Sequence, residues 1–103
     1  MKKVVFSSVF EADFAEITAH MAADASLKVS ERWEAAIIRL VELLQKFPEP
    51  GRLRHDLHPD GIRSFWVGEF PNYLVFYRLD GNEIVFLRVR YGGMDLTMMF
   101  AGG

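Results

Sequence analysis

Two runs of apolar and aromatic residues, YLVFY at 73–77 and IVFL at 84–87, constrain most strongly what this chain can fold into. Side chains of a β-strand alternate between the two faces of its sheet, so a strand with one wet face alternates in polarity. These runs do not alternate, and both of their faces must leave water. A sheet built on them therefore needs cover on each side. Asp80-Gly81-Asn82 between them is a tight-turn signal that makes the pair a hairpin.

Cover for one face is legible upstream. Ser8 and Glu11 have the spacing of a capping box and predict a helix start. Phe10, Phe14, Ile17 and Met21 then recur at helical spacing to about residue 23, while Glu11, Asp13, Glu16 and His20 are expected on the polar side. Asp24-Ala25-Ser26 offers a break and a new N-cap. A second helix is predicted over 27–47, with an apolar stripe of Trp33, Ala36, Ile37, Leu40, Leu44 and Phe47. Pro48 and Pro50 stop it. The short link makes the two helices an antiparallel hairpin.

Residues 3–7, KVVFS, read as a short edge strand, and RSFWVGEF at 63–70 as a third β-rich run, separated from 73–79 by Pro71-Asn72. The basic stretch at 51–63 contains a Pro59-Asp60-Gly61 turn. The order is β-α-α-β-β-β. It predicts an α+β fold, an N-terminal strand and an antiparallel helical hairpin packed on one face of a small, mainly antiparallel sheet. At 103 residues the chain suits a single domain. One hairpin covers one face, so the other must be covered by the C-terminal segment, by self-association or by a partner chain.

Charge and composition narrow the function classes. Nine Phe, three Tyr and two Trp argue for a packed core, and the absence of cysteine removes disulfides, thiolate metal sites and cysteine nucleophiles. The formal charge of −2 disfavours a partner held through phosphates, which asks for a net basic balance. The N-terminal MKKVVF lacks the apolar core of a signal peptide, and no run approaches the ~20 apolar residues of a membrane span. A cytoplasmic protein with no membrane partner is expected.

The order of elements, FPEPGRLRHDL at 47–57, GIRSFWVGEFPNYLVFYRL at 61–79 and IVFLRVRYGGMDL at 84–96 together resemble the RelE/ParE superfamily of toxins from type II toxin-antitoxin modules. The resemblance runs from Val5 to Phe100 and rests on P-x-x-G-R, G-I-R-S and R-V-x-[HY]-G-x-x-D in combination, each weak alone. It implies a bacterial toxin held inactive in a heteromeric complex with a cognate antitoxin, whose disordered tail folds along the toxin. That partner matches the apolar face left open above.

The superfamily divides by chemistry. RelE-like members are ribosome-dependent mRNA endoribonucleases that work without metal, using cations to stabilise the phosphorane and other groups to move protons. ParE-like members resemble them in fold and inhibit DNA gyrase by direct binding. In this chain Leu74, Met94 and Phe100 stand where the nuclease pattern carries arginine, arginine and tyrosine. Leucine and methionine supply neither the charge nor the bidentate bonds of an arginine. The ParE-like reading is favoured: a toxin that is not an enzyme, has DNA gyrase as its target, needs no metal or cofactor and does not bind DNA by itself. The alternatives are a nuclease built on Arg63, Arg88, Arg90 and Tyr91, and a degenerate member that keeps the fold and the antitoxin but has lost toxicity.

Arg52, Arg54, Arg63, Trp66, Arg88, Arg90, Met98, Met99 and Phe100 are the candidate antitoxin or target contacts. Each has a plainer reading. Arg54 and Arg63 are expected to be solvent-exposed or to pair with Asp56, Asp60 or Glu69, and Trp33 and Trp66 to anchor the core. His55 and His58 lie in a Pro/Gly loop without a rigid third ligand, which makes a metal site there poor. Met98, Met99 and Phe100 are expected to fold back as a lid on the sheet, or else to anchor a partner.

Overall fold

The two apolar runs lie in the inner strands of a five-stranded sheet in a computed structural model, which describes residues 1–93 and 96–100. Chain order is β1 (Lys3–Phe6), α1 (Ser8–Asp24), α2 (Leu27–Lys46), β2 (Arg52–Leu53), β3 (Arg63–Val67), β4 (Phe70–Asp80) and β5 (Glu83–Tyr91). The sheet order is β1-β5-β4-β3-β2, antiparallel except for β1, which pairs with β5 in parallel from Lys3 opposite Glu83 to Phe6 opposite Phe86. This is the expected α+β arrangement with one added strand. Arg52 and Leu53, expected within a loop, pair with Ser64 and Arg63.

Val75, Phe76 and Tyr77 are buried in succession, as are Ile84, Val85 and Phe86, so both faces of β4 and β5 are covered. The helical hairpin covers one. Trp33, Ile37, Leu40 and Leu44 from α2 and Phe10 from α1 share a core with Val75, Tyr77, Ile84, Phe86 and Val89. The change from even to odd numbers along β5 marks a bulge: Arg88 opposes Phe76 while Phe86 opposes Tyr77, leaving Leu87 as the extra residue. After it, Val89 faces the helices and Arg88 and Arg90 belong to the opposite face.

That opposite face is covered, over Phe76, by the chain's own C-terminal segment. The Phe100 ring lies 5.8 Å from the Phe76 ring in an edge-on contact, and the Arg54 guanidinium lies 5.9 Å from the same ring. Met99 and Phe100 are half-buried and Met98 is exposed.

Local corrections have local causes. Ser7, not Ser8, caps α1: its Oγ accepts from the Phe10 amide at 3.0 Å and donates to the Leu87 carbonyl at 2.8 Å. The last backbone bond between this segment and β5 runs from the Ser7 amide to the Phe86 carbonyl, so the strand ends at Phe6 and the helix starts one residue earlier than the capping-box spacing predicts. Ser26 caps α2 as expected. Phe47 is the C-cap of α2 and is exposed, because the chain leaves the helix before its ring can reach the core. The turn between β3 and β4 is Gly68-Glu69 and not Pro71-Asn72. Gly68 takes a positive φ of 23°, and Val67 already pairs with Phe70.

Candidate functional site

Beyond Phe86, β5 has lost β1 as its neighbour, and α1 runs along the open edge. Asp13 is the residue that meets it. Expected on the polar side of the helix, Asp13 is buried, at 4% exposure. Its Oδ2 accepts from Arg88 Nε at 2.7 Å and from the Val89 amide at 3.3 Å. Its Oδ1 accepts from Arg88 Nη2 at 2.9 Å and Arg90 Nη1 at 3.3 Å. The carboxylate does what a paired strand would do for the Val89 amide, and it draws both arginines from their face of the sheet onto the edge. The hydrogen bonds to Asp13 hold the Arg88 guanidinium above its ordinary pKa. The sequence carried a signal for this burial: Asp13 sits between Phe10 and Phe14 at the i+3 position of the apolar stripe.

Tyr91 does not join the arginines. It is exposed, and its ring packs edge-on against Tyr73 at 5.6 Å, on the side from which Tyr73 reaches the helical core. The arginines and the phenol that a nuclease reading would combine are thus on different sides of the strand.

Arg63 is taken up by backbone. Its Nη1 donates to the Glu49 and Gly51 carbonyls at 3.0 and 2.8 Å, in place of the expected carboxylate partner. Tyr77, fully buried, completes the same clamp. Its hydroxyl donates to the Pro48 carbonyl at 2.6 Å and accepts from the Gly51 amide at 3.0 Å. A Cβ on Gly51 would run into the Tyr77 hydroxyl, which explains the glycine in P-x-x-G-R. Burial pushes the Tyr77 hydroxyl pKa up.

Arg54 pairs with Asp56 as expected, at 3.0 and 2.9 Å, and also donates to the Ser64 hydroxyl at 3.2 Å. The Arg54 hydrogen bond holds the Asp56 carboxyl below its usual value. Glu69 is held low in the same way, but by Arg32. Arg52 stays exposed on β2.

Of the two tryptophans, Trp33 is the core anchor, fully buried, with its Nε1 donating to Thr18 Oγ1 at 3.1 Å. Trp66 is not. It is 52% exposed and stacks on Phe65 at 4.4 Å, beside a hollow lined by Arg39 and Leu43 of α2. β2 begins only at Arg52, opposite Ser64, so the edge of β3 from Phe65 onward has no strand neighbour on that side. Met94, one of the departures from the nuclease pattern, lies outside the described residues.

No helix among the described residues is long and apolar enough to cross a membrane. A family model described as the ParE toxin of the type II toxin-antitoxin system, parDE, matches residues 4–96. The chain is 31% identical over 97 residues to Toxin ParE3 of Caulobacter vibrioides, spanning 94% of this chain and 93% of that protein. Its fold superposes with a TM-score of 0.71 on a chain from the chromosomal ParDE TA system of P. aeruginosa, at 21% identity and over 88% of this chain and 96% of that one.

Proposed function

The chain belongs to the ParE family of toxins of type II toxin-antitoxin systems, and from that premise we propose that it inhibits DNA gyrase by direct binding in the cytoplasm, without catalysis, and is neutralised in a heteromeric complex with a cognate antitoxin. The Asp13 clasp is the observation that carries this reading over the ribonuclease alternative. A metal-free ribonuclease needs cations turned toward the scissile phosphate, where their field stabilises developing negative charge. Here Arg88 and Arg90 are turned onto a buried carboxylate of the same chain, which would lie beside any phosphate they held and repel it. Arg63 is turned onto main-chain carbonyls and Arg54 onto Asp56. A net charge of −2 adds no general attraction for RNA. A protein target needs neither free cations nor proton-transfer groups.

The antitoxin half of the proposal is supported by the ParDE assembly of the structural relative and by the apolar surface this chain exposes at Phe6, Ile38, Leu43 and Trp66. The test uses purified protein with gyrase and, separately, with a translating extract. Inhibition of supercoiling that is reversed by the antitoxin, with mRNA left intact, is expected. Unaffected supercoiling together with mRNA cleavage would replace this reading with the ribonuclease one.

A further inference from the structure

The cover over the second face of the sheet carries two adjacent methionines in unlike surroundings. Phe76 is fully buried, with the Phe100 ring edge-on to it at 5.8 Å. Met99 and Phe100 are both half-buried, and the Met99 amide donates to the Leu96 carbonyl at 3.1 Å, which holds them in a turn. Beside them is a surface cleft of about 620 Å³, walled in part by Met99 and Phe100 together with Ile62, Leu79 and Leu87. Its volume is many times the ~30 Å³ share of one water molecule in the liquid, so a peroxide reaches Met99 through it.

Met98 is 75% exposed, and a polar group added there disturbs no packed surface. Met99 borders the apolar wall of the cleft, where the change matters. A thioether is soft and apolar, whereas a sulfoxide carries a polar sulfur–oxygen bond that must find a donor or water. Leaving it against Ile62 and Leu87 carries the cost of an unmatched polar group. The added oxygen is drawn instead to water and to the exposed Arg78 on the rim, away from the apolar side. Half-buried contacts of this kind open at low cost, so the segment moves before the sheet does.

We propose that Met99 is a reversible oxidation site that governs the cover on the second face. A peroxide transfers one oxygen atom to the Met99 sulfur and leaves as water or an alcohol; the sulfur loses two electrons and the oxygen–oxygen bond takes them up. The sulfoxide then releases Met99 and Phe100 from above Phe76. A sulfoxide reductase working with a dithiol returns the thioether, with water and a disulfide as products. Opening turns a closed face into an exposed apolar patch, the kind of surface that takes part in interactions. The site stands apart from the choice of target and from the antitoxin.

The experiment melts wild type, Met98→Leu, Met99→Leu and Met99→Gln before and after treatment with dilute hydrogen peroxide. Peptide mass mapping follows each methionine, and an apolar dye follows exposed surface. Treated wild type and treated Met98→Leu are expected to lose about 4 °C or more of melting temperature and to gain dye fluorescence, while Met99→Leu keeps its untreated values. Met99→Gln, with a polar group of similar length, should resemble treated wild type without any peroxide. Methionine sulfoxide reductase with a dithiol should restore treated wild type. The proposal fails if Met99 stays unmodified after Met98 is fully converted, or if Met99 sulfoxide forms and neither melting nor dye binding changes. It fails as well if Met99→Leu responds to peroxide as strongly as wild type, since another methionine is then responsible, or if Met99→Gln behaves as untreated wild type.

Discussion

Asp13 and Arg88 meet across seventy-five residues of chain, with carboxylate oxygens at 2.7 and 2.9 Å from the arginine Nε and Nη2, at the place where β5 has run past β1 and that edge is open. An open strand edge invites pairing with another chain. By accepting from the Val89 amide as well, Asp13 closes that edge with a side chain and locks α1 to the sheet. The same contacts turn Arg88 and Arg90 onto a carboxylate of their own chain.

Asp13→Ala is therefore expected to destabilise the protein strongly. It leaves the half-buried Arg88 guanidinium and the buried Val89 amide without this acceptor. Removing one partner of a buried pair costs about 3–5 kcal/mol, and the remaining exposure of Arg88 puts the expected loss near the lower end. Asp13→Asn keeps an acceptor for the Val89 amide and should lose about half as much. Urea unfolding at constant slope measures both, and equal losses for the two variants would contradict the edge-closing role.

Tyr77→Phe removes the hydroxyl that bridges Pro48 and Gly51 and leaves a buried amide and carbonyl unmatched, for an expected loss of about 2–4 kcal/mol. A pH signature separates this from simple loss of packing. Burial raises the Tyr77 pKa, so the folded protein holds its proton where the unfolded chain has begun to release it. The contribution is complete below the unfolded value near ~10 and falls as pH rises toward and through the folded value. Wild type should lose melting temperature between about pH 9 and 11 more steeply than Tyr77→Phe. Parallel slopes would remove Tyr77 as the cause.

The hairpin, the helix stripes and the two-faced strands were legible in the sequence because each writes a period into neighbouring residues. Phe10, Phe14, Ile17 and Met21 point to one side of a helix whatever surrounds it. Asp13 reads as polar by residue type although it lies on that stripe, and its partner is far along the chain. Trp66 was read as core because size favours burial. Its exposure follows from the start of β2 at Arg52, opposite Ser64 and two residues short of Trp66, a matter of pairing that no local pattern records. Arg63 looked like a surface cation because its acceptors are main-chain carbonyls, which carry no sequence signal.

Phe100→Ala tests the cover on the second face. Loss of the ring from above Phe76 should cost about 1–2 kcal/mol, since Phe100 is only half-buried. It should also raise the fluorescence of an apolar dye, because Phe76 loses its cover. Unchanged melting and dye binding would mean that the C-terminal segment contributes nothing to closing the sheet.

Trp66→Ala is expected to separate binding from stability. Half of the indole is already in water, so truncation should change folding stability by less than about 1 kcal/mol. At an interface a tryptophan on a rigid strand is a different matter, because large flat side chains there carry about 2 kcal/mol or more of binding. Trp66 is held by Phe65 beneath it and flanked by Leu43 and Arg39, which suits it to insert beneath a partner chain along the open β3 edge. Antitoxin affinity should therefore fall at least about tenfold in Trp66→Ala and recover partly in Trp66→Phe, while the two variants melt within a few degrees of wild type. Affinity unchanged in Trp66→Ala would place the antitoxin away from this edge.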